Sequence, residues 1–81
     1  MSAPYVVAEL RKNARETVRV ALDTYQGRNL LDLRVCLPLA EHAPSLQPTR
    51  KGIALAVALL PRLREALEDA EAEARSRGWL E

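Results

Sequence analysis

Phenylalanine is absent from the 81 residues, and cysteine, histidine and tryptophan occur once each. A single cysteine, Cys36, excludes a disulfide within one chain. With His42 as the only other good soft ligand, no structural zinc is expected, since such sites usually need four. The three glycines, Gly27, Gly52 and Gly78, stand too far apart to form a glycine-rich loop around a phosphate. No uncharged run is long enough to cross a membrane: Gly52 to Pro61 reaches only about half of the ~20 residues required. The opening Met1-Ser2-Ala3-Pro4-Tyr5 has no basic region followed by an apolar stretch, so no secretory signal and a cytoplasmic location are expected.

These absences bear on stability. A core built by a domain of this length buries only about 60% of the surface exposed in the unfolded chain. Disulfides and metal cannot make up the deficit, and no cofactor is implied, so association into a homodimer is the expected remedy. The whole chain, 1–81, reads as one domain.

Twelve Lys and Arg face eleven Asp and Glu, a net charge of +1, below the strongly basic balance of many nucleic-acid binders. The distribution is uneven. Residues 1–55 hold eight basic and five acidic groups, a surplus of three, whereas residues 56–81 hold four basic and six acidic groups. A basic surface can therefore sit in the first two-thirds while the tail cancels it.

Up to Leu55 apolar residues mostly alternate; beyond it they recur every three or four positions. Strands are expected at Tyr5–Arg11, Glu16–Thr24, Arg28–Leu37 and Thr49–Leu55. The stretch Pro38–Pro48, with three prolines, reads as a loop. Val18, Val20 and Leu22 share one face of the second strand, and Leu31, Leu33, Val35 and Leu37 one face of the third. Both sets must lie on the same side, which requires an even-numbered loop, met by Gln26-Gly27 with Tyr25 opposite Arg28. Arg19 then falls across from Arg34, and Ala21 across from Asp32. One face is apolar, and the other carries Arg19, Tyr25, Arg28 and Arg34.

From about 57 to 77 the pattern predicts a helix. Leu60, Leu63, Leu67, Ala70 and Ala74 form a seam stepping by three and four, widened by Leu59 and Ala66. Pro61 is tolerated in a first turn, and Gly78 is a natural stop behind Arg75 and Arg77. The helix is expected to cover the apolar sheet face and also to meet its twin through Leu60, Leu63, Leu67 and Ala70. The fold class is thus α+β: a four-stranded curved antiparallel sheet followed by one long helix.

Catalysis finds little support. His42 sits in a proline-bearing loop with no serine–acid arrangement nearby, and Cys36 reads as an ordinary small buried residue. Trp79 reads as buried area against the sheet or a partner subunit. The basic set is more informative. Arg50-Lys51-Gly52 opens into an apolar strand, and adjacent cations beside a glycine suit a phosphate chain. With Arg19, Arg28 and Arg34 on the polar face and Tyr25 available for stacking, the set has the makings of a platform for single strands.

The order of these residues resembles a known family. The run Val18-Arg-Val-Ala-Leu-Asp-Thr-Tyr25-Gln-Gly-Arg28-Asn-Leu-Leu-Asp32-Leu-Arg34 is similar to the core of the transcriptional coactivator family positive cofactor four. That family reads aromatic-Lys-Gly-Lys and then Ile-Asp-Ile-Arg. Pro48-Thr-Arg50-Lys51-Gly52-Ile53-Ala-Leu55 resembles its Pro-x-x-Lys-Gly-Ile-Ser-Leu, and Leu10-Arg-Lys12-Asn13 its Ile-Gly-Lys-Asn. The resemblance, over about residues 7 to 68, implies a homodimer joined through the helices. It further implies single-stranded DNA as ligand, a role in transcription regulation or melted DNA, the transcription machinery as a further partner, and a place on the nucleoid. Carried over, Tyr25 is the stacking aromatic, and Arg28, Arg34, Arg50, Lys51 and Lys12 match the family's basic positions. Leu37 and Cys36 replace aromatics, and Asp23 stands where relatives often carry a basic residue. Losing a stacking platform costs about 1–3 kcal/mol per base, so weaker binding is expected rather than none.

Three other readings compete. A protein–protein interaction dimer that kept the fold and lost DNA would have an uncharged sheet face. A small enzyme would need a convergent acid–base pair. A double-stranded-DNA reader would need base-edge readers along the strands, and only Asn29 qualifies.

Overall fold

A computed structural model describes residues 3–40 and 45–81. Four strands, β1 (Tyr5–Arg11), β2 (Thr17–Tyr25), β3 (Arg28–Pro38) and β4 (Leu46–Ala56), form one antiparallel sheet in the order β1-β2-β3-β4. A single 3-10 turn, Val57–Leu59, leads into the helix α1 (Leu60–Ser76). The architecture is the expected α+β arrangement of four strands and a C-terminal helix. Among the described residues no helix is long and apolar enough to cross a membrane.

The β2–β3 hairpin has the expected register: Tyr25 pairs with Arg28, Ala21 with Asp32 and Arg19 with Arg34. Its two-residue loop puts both Gln26 (φ 52°) and Gly27 (φ 77°) at positive φ, the twist that a tight hairpin needs.

Two irregularities shape the edges. In β1 the pairing slips by one between Val6 and Ala8, leaving Val7 as an extra residue. The slip keeps Tyr5, Ala8 and Leu10 on the apolar side despite their uneven spacing. In β4, Pro48 pairs with Cys36 and Gly52 with Arg34, so Thr49, Arg50 and Lys51 together oppose Val35 alone. The Thr49 hydroxyl donates to the Val35 carbonyl (2.7 Å) and accepts from the Lys51 N–H (3.2 Å), closing this bulge.

The expected loop Pro38–Pro48 is shorter than the prolines suggested. β3 continues to Pro38, and β4 already begins at Leu46, with Leu46, Gln47 and Pro48 paired to Pro38, Leu37 and Cys36. A proline is admissible in β4 because that strand is a sheet edge, where one row of backbone groups has no ladder partner to lose. His42 lies outside the described residues.

The helix begins with Pro61 in its first turn and ends in the expected place. The Gly78 N–H donates to the Arg75 carbonyl (3.0 Å) and the Trp79 N–H to the Ala74 carbonyl (2.9 Å), the paired bonds of a Schellman cap. Its expected role as a cover for the sheet is not what the chain does. α1 has no buried residue, Leu67 is 61% exposed, and contact with the sheet runs mainly through Val57–Leu59 against β3. Leu10, Leu22 and Ile53 on the apolar sheet face are exposed too. The short link Val57–Leu59 carries the helix away from the sheet rather than back across it.

Burial is deepest on the other side. Ala21 and Cys36 are wholly inaccessible, and both belong to the face that carries Arg19 and Arg34. Small residues there let long side chains lie down along the sheet, their stems covering it while their charged ends meet one another.

Candidate nucleic-acid interface

Strand alternation places Arg19, Asp32 and Arg34 on one face, with side chains 16%, 14% and 20% exposed. Asp32 bridges the two arginines, at 2.7 Å from Arg34 Nη2 and 3.5 Å from Arg19 Nη2. The cross-strand partners Arg19 and Arg34 would otherwise repel, and the carboxylate converts the pair into a cluster of net charge +1. Arg34 is fixed further, its Nη1 donating to the Arg50 carbonyl at 3.1 Å. Its hydrogen bond to Asp32 pushes the guanidinium still higher than its ordinary, already basic range. Among the described residues Arg19 Nε is buried with no hydrogen-bond partner.

Tyr25 and Arg28 flank the hairpin turn at the end of β2 and the start of β3, on the same face as the arginine cluster. Tyr25 is 64% exposed, and among the described residues no cation lies over its ring in the way that Arg77 lies 5.1 Å over the ring of Trp79. Trp79 itself is exposed, so the expected burial against the sheet is not seen.

Arg50 and Lys51 are both exposed on the β4 bulge. Gly52 plays a different part from the one expected. Rather than opening space for a phosphate, it lies against β3 itself at φ 144°, where a Cβ would fall 2.2 Å from the Leu33 carbonyl oxygen and 2.9 Å from Arg34 Cα. The glycine lets the chain rejoin the ladder after the bulge, and so holds Arg50 and Lys51 in place indirectly.

Lys12 joins a separate group. Its ammonium lies 3.1 Å from Glu16 Oε1, and Lys51 Nζ approaches Glu16 Oε2 at 3.8 Å. Asn13 also donates to Glu16 (2.7 Å), while its own side-chain oxygen accepts from the Arg15 and Glu16 N–H groups. Hydrogen bonds from Asn13 and Lys12, aided by the charges of Lys12 and Lys51, hold the Glu16 carboxyl below its ordinary 4.5. This cluster sits beside Leu37, on the apolar side of the sheet. The sequence-derived set is thus divided. Arg19, Arg34, Tyr25 and Arg28 share one face, Lys12 and Lys51 meet at the rim of the other, and Arg50 rides on the edge between them.

Glu16 and Asn13 are the residues that sequence reasoning missed. The available signal is Asn13 itself, since an asparagine side chain bonds the backbone two residues on and so forms a turn, as it does here with Arg15. Cys36, wholly buried with its thiol directed at the Arg34 carbonyl (3.8 Å), is part of the sheet's packing.

No protein-family model and no curated protein sequence matches the chain. Two solved structures are similar to it, both of a PC4 homolog from Burkholderia pseudomallei. The orthorhombic form is 25% identical with a TM-score of 0.75, covering 88% of this chain and 93% of that one. The tetragonal form is 26% identical with a TM-score of 0.70, covering 85% and 98%. The likeness extends over nearly the whole of both chains and agrees with the motif order read from the residues: in fold and sequence the chain is similar to a PC4 homolog.

Proposed function

We propose that the protein is a homodimeric single-stranded-DNA-binding protein, acting on melted DNA or in transcription regulation beside the transcription machinery on the nucleoid, with no catalytic role. The observation that carries this reading is the face on which Arg19 and Arg34 are held around Asp32, with an uncovered Tyr25 beside Arg28 at its end. A single strand offers phosphates to the cations and unpaired base faces to the ring, whereas a duplex hides the latter. Arg50 and Lys51 supply phosphate contacts at the exposed edge. Likeness to PC4 homologs supports the same reading at the level of the family.

The dimer rests on a second observation. Leu67 on the helix and Leu10, Leu22 and Ile53 on the sheet are exposed together, a combination that soluble monomers avoid. A second copy using the seam Leu60, Leu63, Leu67 and Ala70 covers part of this surface.

The test separates two kinds of contact. Tyr25→Ala should cost about 1–3 kcal/mol of binding to an oligothymidylate while leaving the salt dependence unchanged. Arg50→Ala should flatten the plot of log affinity against log salt by about 0.7, the increment for one single-strand phosphate. If both variants bind as wild type does, the surface is wrong and the protein-interaction reading moves ahead.

A further inference from the structure

We propose that Glu16 is a built-in stand-in for a nucleic-acid phosphate: it occupies Lys12 and Lys51 in the free protein and yields them when a DNA phosphate arrives. The inference rests on the single-strand reading and adds a residue that sets the affinity of that site.

The geometry carries it. Lys12 lies just beyond β1 and Lys51 in β4, so the two cations come from opposite edges of the sheet and converge on one carboxylate. That carboxylate is held rigidly. The Lys12 N–H donates to the Glu16 carbonyl (2.9 Å), and Asn13 grips both the backbone and the side chain of Glu16. The Glu16 side chain is only 17% exposed, whereas those of Lys12 and Lys51 are 50% and 75% exposed. The lysines therefore keep open sides toward solvent, where a phosphate can reach them, while the acid between them is fixed.

A phosphate that approaches meets a cluster of net charge +1 instead of two free cations. It must take over the ammonium groups from Glu16, whose exposed ion pairs are weak enough to exchange. Glu16 thus holds affinity down and reduces the number of counterions released on binding.

The experiment is a titration of an oligothymidylate against wild type and Glu16→Gln over a range of salt. The glutamine preserves an acceptor for Asn13, and circular dichroism checks that both proteins are folded. The variant should bind about two- to fivefold tighter at low salt, the range expected of an exposed ion pair. Its salt slope should steepen by about 0.7. The gain should disappear when Glu16→Gln is combined with Lys12→Ala and Lys51→Ala. A wild type that binds, with a variant of equal affinity and slope, overturns the proposal alone. So does a gain that persists without the lysines, because the acid then acts by general repulsion. If neither protein binds the single strand, the functional reading falls and this inference with it.

Discussion

Replacing Gly52 by alanine gives the sharpest check on how the interface is built. The added Cβ would sit 2.2 Å from the Leu33 carbonyl oxygen and 2.9 Å from Arg34 Cα, both backbone atoms of the neighbouring strand. Neither can swing aside, so β4 must retreat from β3 by roughly 1 Å to restore contact distances. That movement weakens the ladder beside the Leu33–Ile53 pair, at about 0.5–1.5 kcal/mol for each hydrogen bond lost. A backbone held at φ 144° adds about 1–3 kcal/mol for any residue with a side chain. A total of about 2–5 kcal/mol follows, a large share of the ~5–15 kcal/mol that stabilises a domain. Gly27 is the control: it has φ 77° but nothing within 4 Å of its Cβ position, so Gly27→Ala should cost only about 1 kcal/mol. Thermal unfolding followed by circular dichroism, at one matched protein concentration, measures both. With about 4–8 °C per kcal/mol for a chain of this size, Gly52→Ala should lower the melting temperature about twice as far as Gly27→Ala or more. Equal melting of the two variants would refute the role assigned to the bulge.

Two further outcomes follow from the same structure. Leu63→Asp places a charge in the helix seam and should give monomers or unfolded protein; sedimentation showing folded wild-type monomer at micromolar concentration would rule out the dimer. Glu16 has a carboxyl lowered by folding, so its contribution is full above its ordinary 4.5 and is lost as pH falls through the lower folded value. Glu16→Gln should therefore flatten the acid limb of stability against pH below about 4.5, as measured by urea unfolding at several pH values.

The central hairpin was legible from residues alone because two constraints agreed. Val18, Val20 and Leu22 had to share a side with Leu31, Leu33 and Val35, and Gly27 fits the even-numbered loop this requires because a two-residue turn needs positive φ there. The edges were less legible. An extra Val7 and the three-residue bulge at Thr49–Lys51 break the period of two, and periodicity carries no signal for where a strand is allowed to slip. Pro48 argued for a loop because its tolerance depends on lying at an edge, a fact of the whole sheet. The division of the basic residues was hidden for a related reason. Lys12 and Lys51 are separated by nearly forty positions, and only the sheet's folding brings both to Glu16. The uncovered apolar face was misread because amphipathicity says that a helix needs a partner without saying that the partner is its own sheet.

Binding of single strands in preference to duplex is the central claim, and a pair of fluorescence-anisotropy titrations tests it directly. One uses a labelled single-stranded oligonucleotide and the other the same strand annealed to its complement, at identical salt and protein concentrations. Stacking on Tyr25 together with phosphate contacts to Arg28, Arg34 and Arg50 predicts tighter binding of the single strand and little dependence on its sequence. Equal affinity for the two forms, or a preference for the duplex, would contradict it.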